Sequence, residues 1–234
     1  MGGLPGTTRR RRVYLMRHGD VSYFDADGRP VDPRYVSLTD AGRTQALAAG
    51  ELLKDVSFDV SVCSGLPRTE QTARLVLGER PLLLRQEPRL NEIRAGRLSA
   101  VPPAQREQVI AYAYDYAGDP GGVFIGGESW ESLQHRVLEV WAELLAEDSW
   151  LNLLVVAHDA VNRLLLSHVT GAGLGSLKAF EQDSACINII EVDVEAGKAT
   201  RAYLRAANLV AYNLAGSDNH QTVMEKIWAR FTSG

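Results

Sequence analysis

The sequence has few cysteines, little net charge and no long apolar run, and each shortage excludes a class of protein. Two cysteines among 234 residues are too few for a disulfide-stabilised scaffold. Both of them, Cys63 and Cys186, fall in predicted strands, and we expect reduced thiols in the core. A formal net charge of −4 argues against general binding of polyanions. No apolar run approaches the roughly 20 residues that a membrane-spanning helix needs.

The N-terminal segment also lacks the apolar stretch of a secretory signal peptide. It carries four consecutive arginines, Arg9 to Arg12, directly before the first apolar run. We interpret residues 1–12 as a basic, flexible tail, with a nucleic-acid-binding arm as the alternative. Taken with the reduced cysteines, this predicts a cytoplasmic protein that binds neither nucleic acid nor membranes.

The length and composition allow one substantial core, since 45% of the 234 residues are hydrophobic and 23% are charged. Apolar runs typical of strands alternate with segments of helical periodicity. This alternation predicts an α/β fold, a three-layer sandwich with a mostly parallel central sheet flanked by helices. No repeat or linker divides the chain, so residues 13–234 are predicted to form one domain. Residues 90–127, irregular and rich in glycine, are predicted to be a small inserted cap.

The apolar patterns also place the individual elements. Strands are predicted at residues 13–16, 58–63, 81–85, 151–157, 186–194 and 199–204. Helices are predicted at residues 40–55, from residue 67 onward, and at residues 104–116, 128–148, 160–169 and 221–231. The helix at 128–148 has the strongest pattern, because its tryptophans, leucines and valines form one apolar stripe.

Three of the predicted strands lead into side chains suited to phosphate chemistry. Arg17 and His18 follow the first strand, Arg68 opens the helix after the second, and His158 follows the fourth. An arginine fork matches a phosphate, and a histidine nitrogen can act as a nucleophile. Because the carboxyl ends of parallel strands meet at one edge of a sheet, we expect these side chains to share a pocket. Glu92 would approach that pocket from the cap.

The motifs around these residues resemble the histidine phosphatase superfamily, also called the phosphoglycerate mutase-like family. The matching segments are LMRHG (15–19), LTDAGRTQA (38–46), CSGLPRTEQTA (63–73), LNEIRAG (90–96), GGES (126–129) and VVAHDAVNRLLL (155–166). They span most of the chain, from residue 13 to about residue 205, in the order that the family shows.

The resemblance implies a role for each of the five residues. His18 would attack phosphorus and become phosphohistidine, Arg17, Arg68 and His158 would hold the phosphoryl oxygens, and Glu92 would protonate the leaving oxygen. No metal or other cofactor is expected, because the arginines can balance the charge that phosphoryl transfer spreads over three oxygens. A metal site on His18 and His158 is the alternative, and the neighbouring arginines and the lack of an acidic cluster argue against it.

The chain departs from the family pattern at two places. Val21 and Phe24 stand where many relatives carry Thr and Asn, so the contribution of that Asn to the phosphate pocket is missing. Asp159 follows His158, where Gly is more common. A His-Asp pair is the proton-donor signature of the acid-phosphatase and phytase branch, but Val21 stands where that branch carries Arg. We therefore expect Glu92 to be the proton donor, with Asp159 as the alternative.

Further polar residues near these motifs are weaker candidates. Asp20, Arg94 and Arg97 are candidate pocket residues, and Arg94 and Arg97 would shape the substrate pocket together with residues 102–127. Ser22 and Tyr23 either line the entrance or are ordinary loop residues. The three remaining histidines, His135, His168 and His220, have no motif context and are expected to be structural or on the surface.

The expected function is metal-independent hydrolysis of a small phosphorylated metabolite, a phosphomonoester. Mutases of the family typically show a G-W-x-D stretch before the L-T motif, but residues 32–36 here read DPRYV. A phosphoglycerate-type mutase is therefore the first alternative, and an inactive protein that binds a phosphorylated ligand is the second. The oligomeric state is left open, a homodimer included.

Overall fold

Six strands form one sheet in the computed structural model, which describes residues 9–25, 27, 29, 31–97, 100–217 and 220–232. The strands are β1 (Arg9–Arg17), β2 (Val60–Cys63), β3 (Leu84–Gln86), β4 (Asn152–Ala157), β5 (Ile187–Glu195) and β6 (Lys198–Leu209). They lie in the order β3-β2-β4-β1-β5-β6. The first four are parallel, whereas β5 runs antiparallel to β1 and β6 antiparallel to β5. The expectation of a mostly parallel sheet is confirmed.

Helices cover both faces of this sheet. They are α1 (Asp40–Leu52), α2 (Pro67–Leu77), α3 (Arg106–Ala111), α4 (Trp130–Ala146), α5 (Asp159–Thr170) and α6 (Val223–Thr232). Alternate residues of β1 point to opposite faces. Tyr14 and Met16 pack with α1 and α2, while Val13 and Leu15 pack in the core that holds α4 and α5. The predicted apolar stripe of α4 is buried in that second core.

The arginines that we interpreted as a tail belong to β1, so that interpretation is wrong from Arg9 onward. Strand β5 supplies the carboxylates that make this possible. Arg10 pairs with Asp193 at 2.8 Å, and Arg12 pairs with Glu191. Arg11 points the other way, is 2% exposed and donates to the carbonyl of Leu145 at 3.0 Å at the end of α4. Residues 1–8 lie outside the described residues.

Several predicted boundaries also change, most of all in the cap. The predicted helix at 104–116 is α-helical only at Arg106–Ala111, and tighter turns continue to Ala117. These turns carry Tyr114 to a buried position just beyond the end of β4. Residues of the segment 90–127 pack into the same core as β4 and α5. Strand β3 begins at Leu84, and Cys186 lies just before β5; both cysteines are free and buried.

The helices of the described ranges are all too short or too polar to cross a lipid bilayer.

Candidate active site

The register between β1 and β4 sets the two histidines side by side. Arg17 is paired with Ala157, so the next residue of each strand, His18 and His158, leaves the sheet at the same point. The backbone N–H of His18 donates to the carbonyl of Ala157 at 3.1 Å. The two rings are buried and their centroids lie 5.2 Å apart. Parallel pairing of two apolar strands thus builds the centre of the candidate site.

His18 is held in a form that can act as a nucleophile. Its Nδ1 donates to the carbonyl of Gly19 at 2.8 Å, so in the neutral ring the lone pair lies on Nε2. Burial, then the charges of Arg68 and Arg17, hold the pKa of His18 well below its ordinary range, against the opposing effect of the Gly19 hydrogen bond. The imidazole is therefore neutral at physiological pH.

The turn after His18 packs directly against the start of α1. A Cβ on Gly19 would lie 2.5 Å from the carbonyl oxygen of Gly42, and a Cβ on Gly42 would lie 2.2 Å from that of Asp20. The N–H of Gly19 donates to Oγ1 of Thr72 in α2 at 3.0 Å. Two glycines from two separate motifs are thus required by one contact, which fixes the backbone beside His18.

Two arginines offer unpartnered donors at the site. Nη1 of Arg17 donates to the carbonyl of Gln182, and Nη1 of Arg68 donates to that of Pro33, both at 2.6 Å. The Nε atom of each arginine is buried and has no hydrogen-bond partner among the described residues. A buried donor without an acceptor is costly, and an anion bound between the two guanidinium groups would accept from both.

His158 offers a third donor to an anion. Its Nε2 lies 2.8 Å from Oγ of Ser64, whose oxygen also lies 2.9 Å from Oγ1 of Thr69. Nδ1 of His158 is buried and unpartnered within the described part of the chain. When Ser64 donates to Nε2, the proton of the neutral ring lies on Nδ1, which can then donate to an anion.

Glu92 lies at the N-terminus of α5. Its Oε1 accepts from the N–H of Ile93 at 3.0 Å and from that of Ala160 at 3.2 Å. Burial, followed by the charge of Asp159, raises the pKa of Glu92 to about 7, although the N–H of Ile93 and the charges of Arg17 and Arg68 oppose the rise. A carboxyl with that pKa can carry and release a proton near neutral pH.

Asp159 lies next to His158 but is already paired. Its Oδ1 accepts from Nε of Arg163 at 2.7 Å, and its Oδ2 accepts from the hydroxyl of Tyr114 at 2.9 Å. Both carboxylate oxygens are thus engaged by donors. The ion pair with Arg163 and the bond from Tyr114 hold this carboxylate within α5 and the cap.

The weaker candidates are not brought to the centre of the site. Arg94 and Arg97 are exposed, and Nη2 of Arg94 lies 3.7 Å from Glu128. Oδ2 of Asp20 accepts from Thr39 at 2.9 Å. Tyr23 lies closer to the two arginines of the site. Burial raises the pKa of its hydroxyl, and the charges of Arg68 and Arg17 oppose that rise. His135, His168 and His220 are exposed, as expected.

Sequence reasoning missed Arg136, whose guanidinium fixes the segment that carries Glu92. It donates to the carbonyls of Asn91 at 2.7 Å and Glu92 at 3.3 Å, and to Oε1 of Glu128 at 2.9 Å. The signal that could have found it is a charged residue within the apolar stripe of α4, one position before the buried Val137. A buried amide pair was missed as well. Asn188 donates to Gln182, whose carbonyl accepts from Arg17.

The comparisons with known proteins agree with this geometry. Residues 13–204 match the family model of the histidine phosphatase superfamily (branch 1). The chain belongs to this superfamily.

This histidine phosphatase is 30% identical over 187 residues to the adenosylcobalamin/α-ribazole phosphatase of Escherichia coli K12, a match that covers 78% of the chain and 90% of that protein. It is 29% identical over 227 residues to a 2,3-bisphosphoglycerate-dependent phosphoglycerate mutase of Nitratidesulfovibrio vulgaris, covering 82% of the chain and 90% of that protein. A mycobacterial glucosyl-3-phosphoglycerate phosphatase has a TM-score of 0.71 at 25% identity, covering 86% and 99% of the two chains. The resemblance inferred from the motifs and the phosphoglycerate mutase-like fold are both confirmed.

Proposed function

We propose that this histidine phosphatase is a metal-independent phosphomonoester hydrolase that works through a phosphohistidine on His18. One observation carries the proposal. The free Nε2 of His18 lies in a buried site to which two arginines present unpartnered Nε donors. Such a site favours a phosphoryl group, because guanidinium donors balance its negative charge while the neutral imidazole keeps its lone pair.

The proposed reaction has two steps. Nε2 of His18 attacks phosphorus, the bond to the ester oxygen breaks, and that oxygen takes the proton of Glu92. Water then attacks the phosphohistidine, Glu92 takes the proton from the water, and the P–N bond breaks to release phosphate and neutral His18. Arg17, Arg68 and His158 hold the three phosphoryl oxygens in both steps, so that their charges act on the transition state.

We propose a small phosphorylated metabolite as the substrate and the cytoplasm as the compartment. The free, buried state of both cysteines supports the second part of this proposal. The relatives named above act on different phosphoesters, so a panel should include α-ribazole phosphate, glucosyl-3-phosphoglycerate and 3-phosphoglycerate. The compound with the highest kcat/KM would identify the substrate class.

The experiment that tests the proposal is hydrolysis of p-nitrophenyl phosphate in the presence of EDTA. We expect the wild-type protein to release phosphate, and His18→Ala to lose both this activity and the acid-labile label that wild type takes up from ³²P-labelled ester. His135→Ala is the matched control, because His135 is exposed on α4. Loss of wild-type activity in EDTA would refute the metal-independent mechanism.

The mutase alternative rests on the relative from Nitratidesulfovibrio vulgaris. Incubation with 3-phosphoglycerate and a catalytic amount of 2,3-bisphosphoglycerate separates the two functions. Fast formation of 2-phosphoglycerate without comparable phosphate release would favour the mutase. If no phosphoester of the panel is turned over, a protein that only binds a phosphorylated ligand is favoured instead.

A further inference from the structure

Two carboxyl groups approach the proposed phosphoryl site, and the structure treats them differently. Glu92 accepts only from backbone N–H groups, those of Ile93 and Ala160. Asp159, the residue before Ala160, accepts from a guanidinium and a phenol hydroxyl. Among the described residues, the Glu92 carboxyl has no cationic hydrogen-bond partner, whereas the Asp159 carboxylate forms an ion pair with Arg163.

The partners of Asp159 hold its carboxylate in a buried ion pair. Arg163 and Asp159 are 1% and 6% exposed, so their ion pair is shielded from water. The guanidinium carbon of Arg163 also lies 4.2 Å from the centroid of the Tyr114 ring, and Arg163 donates to the carbonyl of Leu177 at 3.0 Å. Arg163 cannot move away without breaking these contacts. Both oxygens of the Asp159 carboxylate are therefore held within a buried, hydrogen-bonded ion pair.

We propose that Asp159 is a positioning residue that acts through Glu92: its fixed negative charge keeps the proton on the Glu92 carboxyl until the leaving oxygen takes it. This inference rests on the proposed function, because it assumes that Glu92 donates the proton. It assigns a use to Asp159, the residue that follows His158. The negative charge of the Asp159 carboxylate disfavours the ionised form of the neighbouring Glu92 carboxyl.

The other groups that act on Glu92 favour its ionised form or are neutral. Those that face it are Arg17 from β1, Arg68 from α2, Tyr23 from the entrance loop, Tyr114 from the cap and Arg136 from α4, together with Asp159 and the N–H of Ala160 from α5. The three arginines attract a carboxylate, and both tyrosines are neutral. Without Asp159, the arginines would draw Glu92 toward the ionised state.

The test follows the titration of Glu92 directly. In ¹³C-glutamate-labelled protein, the side-chain carboxyl signal of Glu92, assigned by its absence in Glu92→Gln, is expected to titrate near pH 7 in the wild type. In Asp159→Asn the midpoint is expected to fall by roughly one pH unit. An ordinary acidic midpoint in the wild type, or an unchanged midpoint in Asp159→Asn, would overturn the proposal. The wild-type measurement decides even if Asp159→Asn fails to fold.

Kinetics give a second readout. The alkoxide that leaves benzyl phosphate needs a proton. In Asp159→Asn, the alkaline fall of kcat/KM for this ester should therefore shift to lower pH, by the same amount as the titration midpoint of Glu92. The loss relative to wild type is expected to be about tenfold at pH 8 and less than about twofold at pH 5.5. With p-nitrophenyl phosphate, which needs little protonation, the change should be small at both pH values. A loss confined to benzyl phosphate but equal at every pH would make Asp159 itself the acid.

Two further variants separate charge from structure. Tyr114→Phe removes a donor to Asp159 but keeps its charge, and Glu181→Gln removes a carboxylate that contacts Arg163 but does not face Glu92. In both variants, the alkaline fall of kcat/KM for benzyl phosphate should occur at the same pH as in the wild type. If it moves as far in Tyr114→Phe as in Asp159→Asn, the effect is structural. Absence of phosphohistidine in the wild type would refute the proposed function, while the carboxyl titration would still test the influence of Asp159.

Discussion

His18 and Glu92 owe their shifted pKa values to different neighbours. Burial and two arginines remove the proton from His18, whereas burial and a carboxylate keep one on Glu92. The same arginines oppose the second effect. A pair of groups whose environments separate their protonation in this way is suited to a nucleophile and an acid in one site.

The role proposed for Glu92 predicts a loss that depends on the leaving group. An alkoxide needs a proton in the transition state, while p-nitrophenolate leaves almost unaided. Glu92→Gln should therefore lose about 10²–10⁴-fold in kcat/KM on alkyl phosphates such as benzyl phosphate, and much less on p-nitrophenyl phosphate. Steady-state kinetics at pH 6 on both esters measures the difference. If Asp159→Asn shows this pattern and Glu92→Gln does not, the two roles must be exchanged.

The raised pKa of Glu92 also predicts a pH-dependent effect on stability. Its folded-state pKa of about 7 lies above the ordinary 4.5, so the folded protein loses stability as pH rises between these values. Glu92→Gln lacks this loss. It should match wild type in free energy of unfolding at pH 4.5 and exceed it at pH 8 by at most about 3 kcal/mol. Urea unfolding at both pH values checks this, with the exposed Glu79→Gln as the control that should show no such trend.

Among the elements, α4 organises the segment that carries Glu92. Arg136 and Glu128 form a partly buried pair, in which the Arg136 side chain is 17% exposed and that of Glu128 1%, and Arg136 also donates to the carbonyls of residues 91 and 92. Neither residue is proposed to touch substrate. The position of Glu92 is therefore set by α4, which follows the cap segment in the chain. The sequence around Glu92 alone does not specify these contacts.

Arg136→Met should damage both stability and acid catalysis. It removes the closer of two guanidinium groups from Glu128, that at 2.9 Å, and leaves Arg94 at 3.7 Å, so we expect a loss of about 1–3 kcal/mol. It also frees the segment of Glu92, so the rate on benzyl phosphate should fall more than that on p-nitrophenyl phosphate. Urea unfolding and the two assays measure these effects. Arg74→Met, which breaks the exposed pair with Glu70, should cost no more than about 0.5 kcal/mol and leave both rates unchanged; equal behaviour of the two variants would refute the role of Arg136.

At the scale of the whole molecule, β1 ties the start of the chain to two distant parts. Near the start of the strand, on the face that also carries Tyr14 and Met16, Arg10 and Arg12 pair with the carboxylates of β5. On the opposite face, Arg11 lies against the last carbonyls of α4, with its guanidinium carbon 4.9 Å from the centroid of the Trp150 ring. A cation at that end of a helix is favoured by the helix dipole and by the unpaired carbonyls.

Removing Arg11 should therefore lower stability without touching the chemistry. Arg11→Met loses charged hydrogen bonds to buried carbonyls, and we expect a loss of about 2–4 kcal/mol in the free energy of unfolding. The rate on p-nitrophenyl phosphate at 25 °C should stay the same. The exposed Arg201 on β6 provides the control, since Arg201→Met should change the stability by less than about 0.5 kcal/mol. Thermal unfolding of both variants measures the difference. If Arg11→Met and Arg201→Met unfold at the same temperature, Arg11 does not stabilise the fold and the prediction is wrong.

The residues that follow apolar strands could be placed from the sequence. Arg17, His18, Arg68 and His158 come directly after β1, at the start of α2 and after β4, and the structure brings all four to one edge of the sheet. The alternation of side chains along a strand can be recognised in a single sequence, and parallel strands end at the same edge of a sheet. These two facts were enough to place the four residues together. The stripe of α4 was predictable for the same reason.

The tertiary structure alone decided where charges find their partners. Four arginines in a row look like a tail until β5, far along the chain, supplies Asp193 and Glu191. Sequence reasoning favours Glu92 as the acid and keeps Asp159 as the alternative. Arg163 lies one helical turn after Asp159, so that pair is local, but only the tertiary structure brings Tyr114 of the cap to the same carboxylate. The energy of a charge depends on what lies within a few ångströms in space, and for partners on different elements, such as Arg10 and Asp193, the sequence alone does not give that distance.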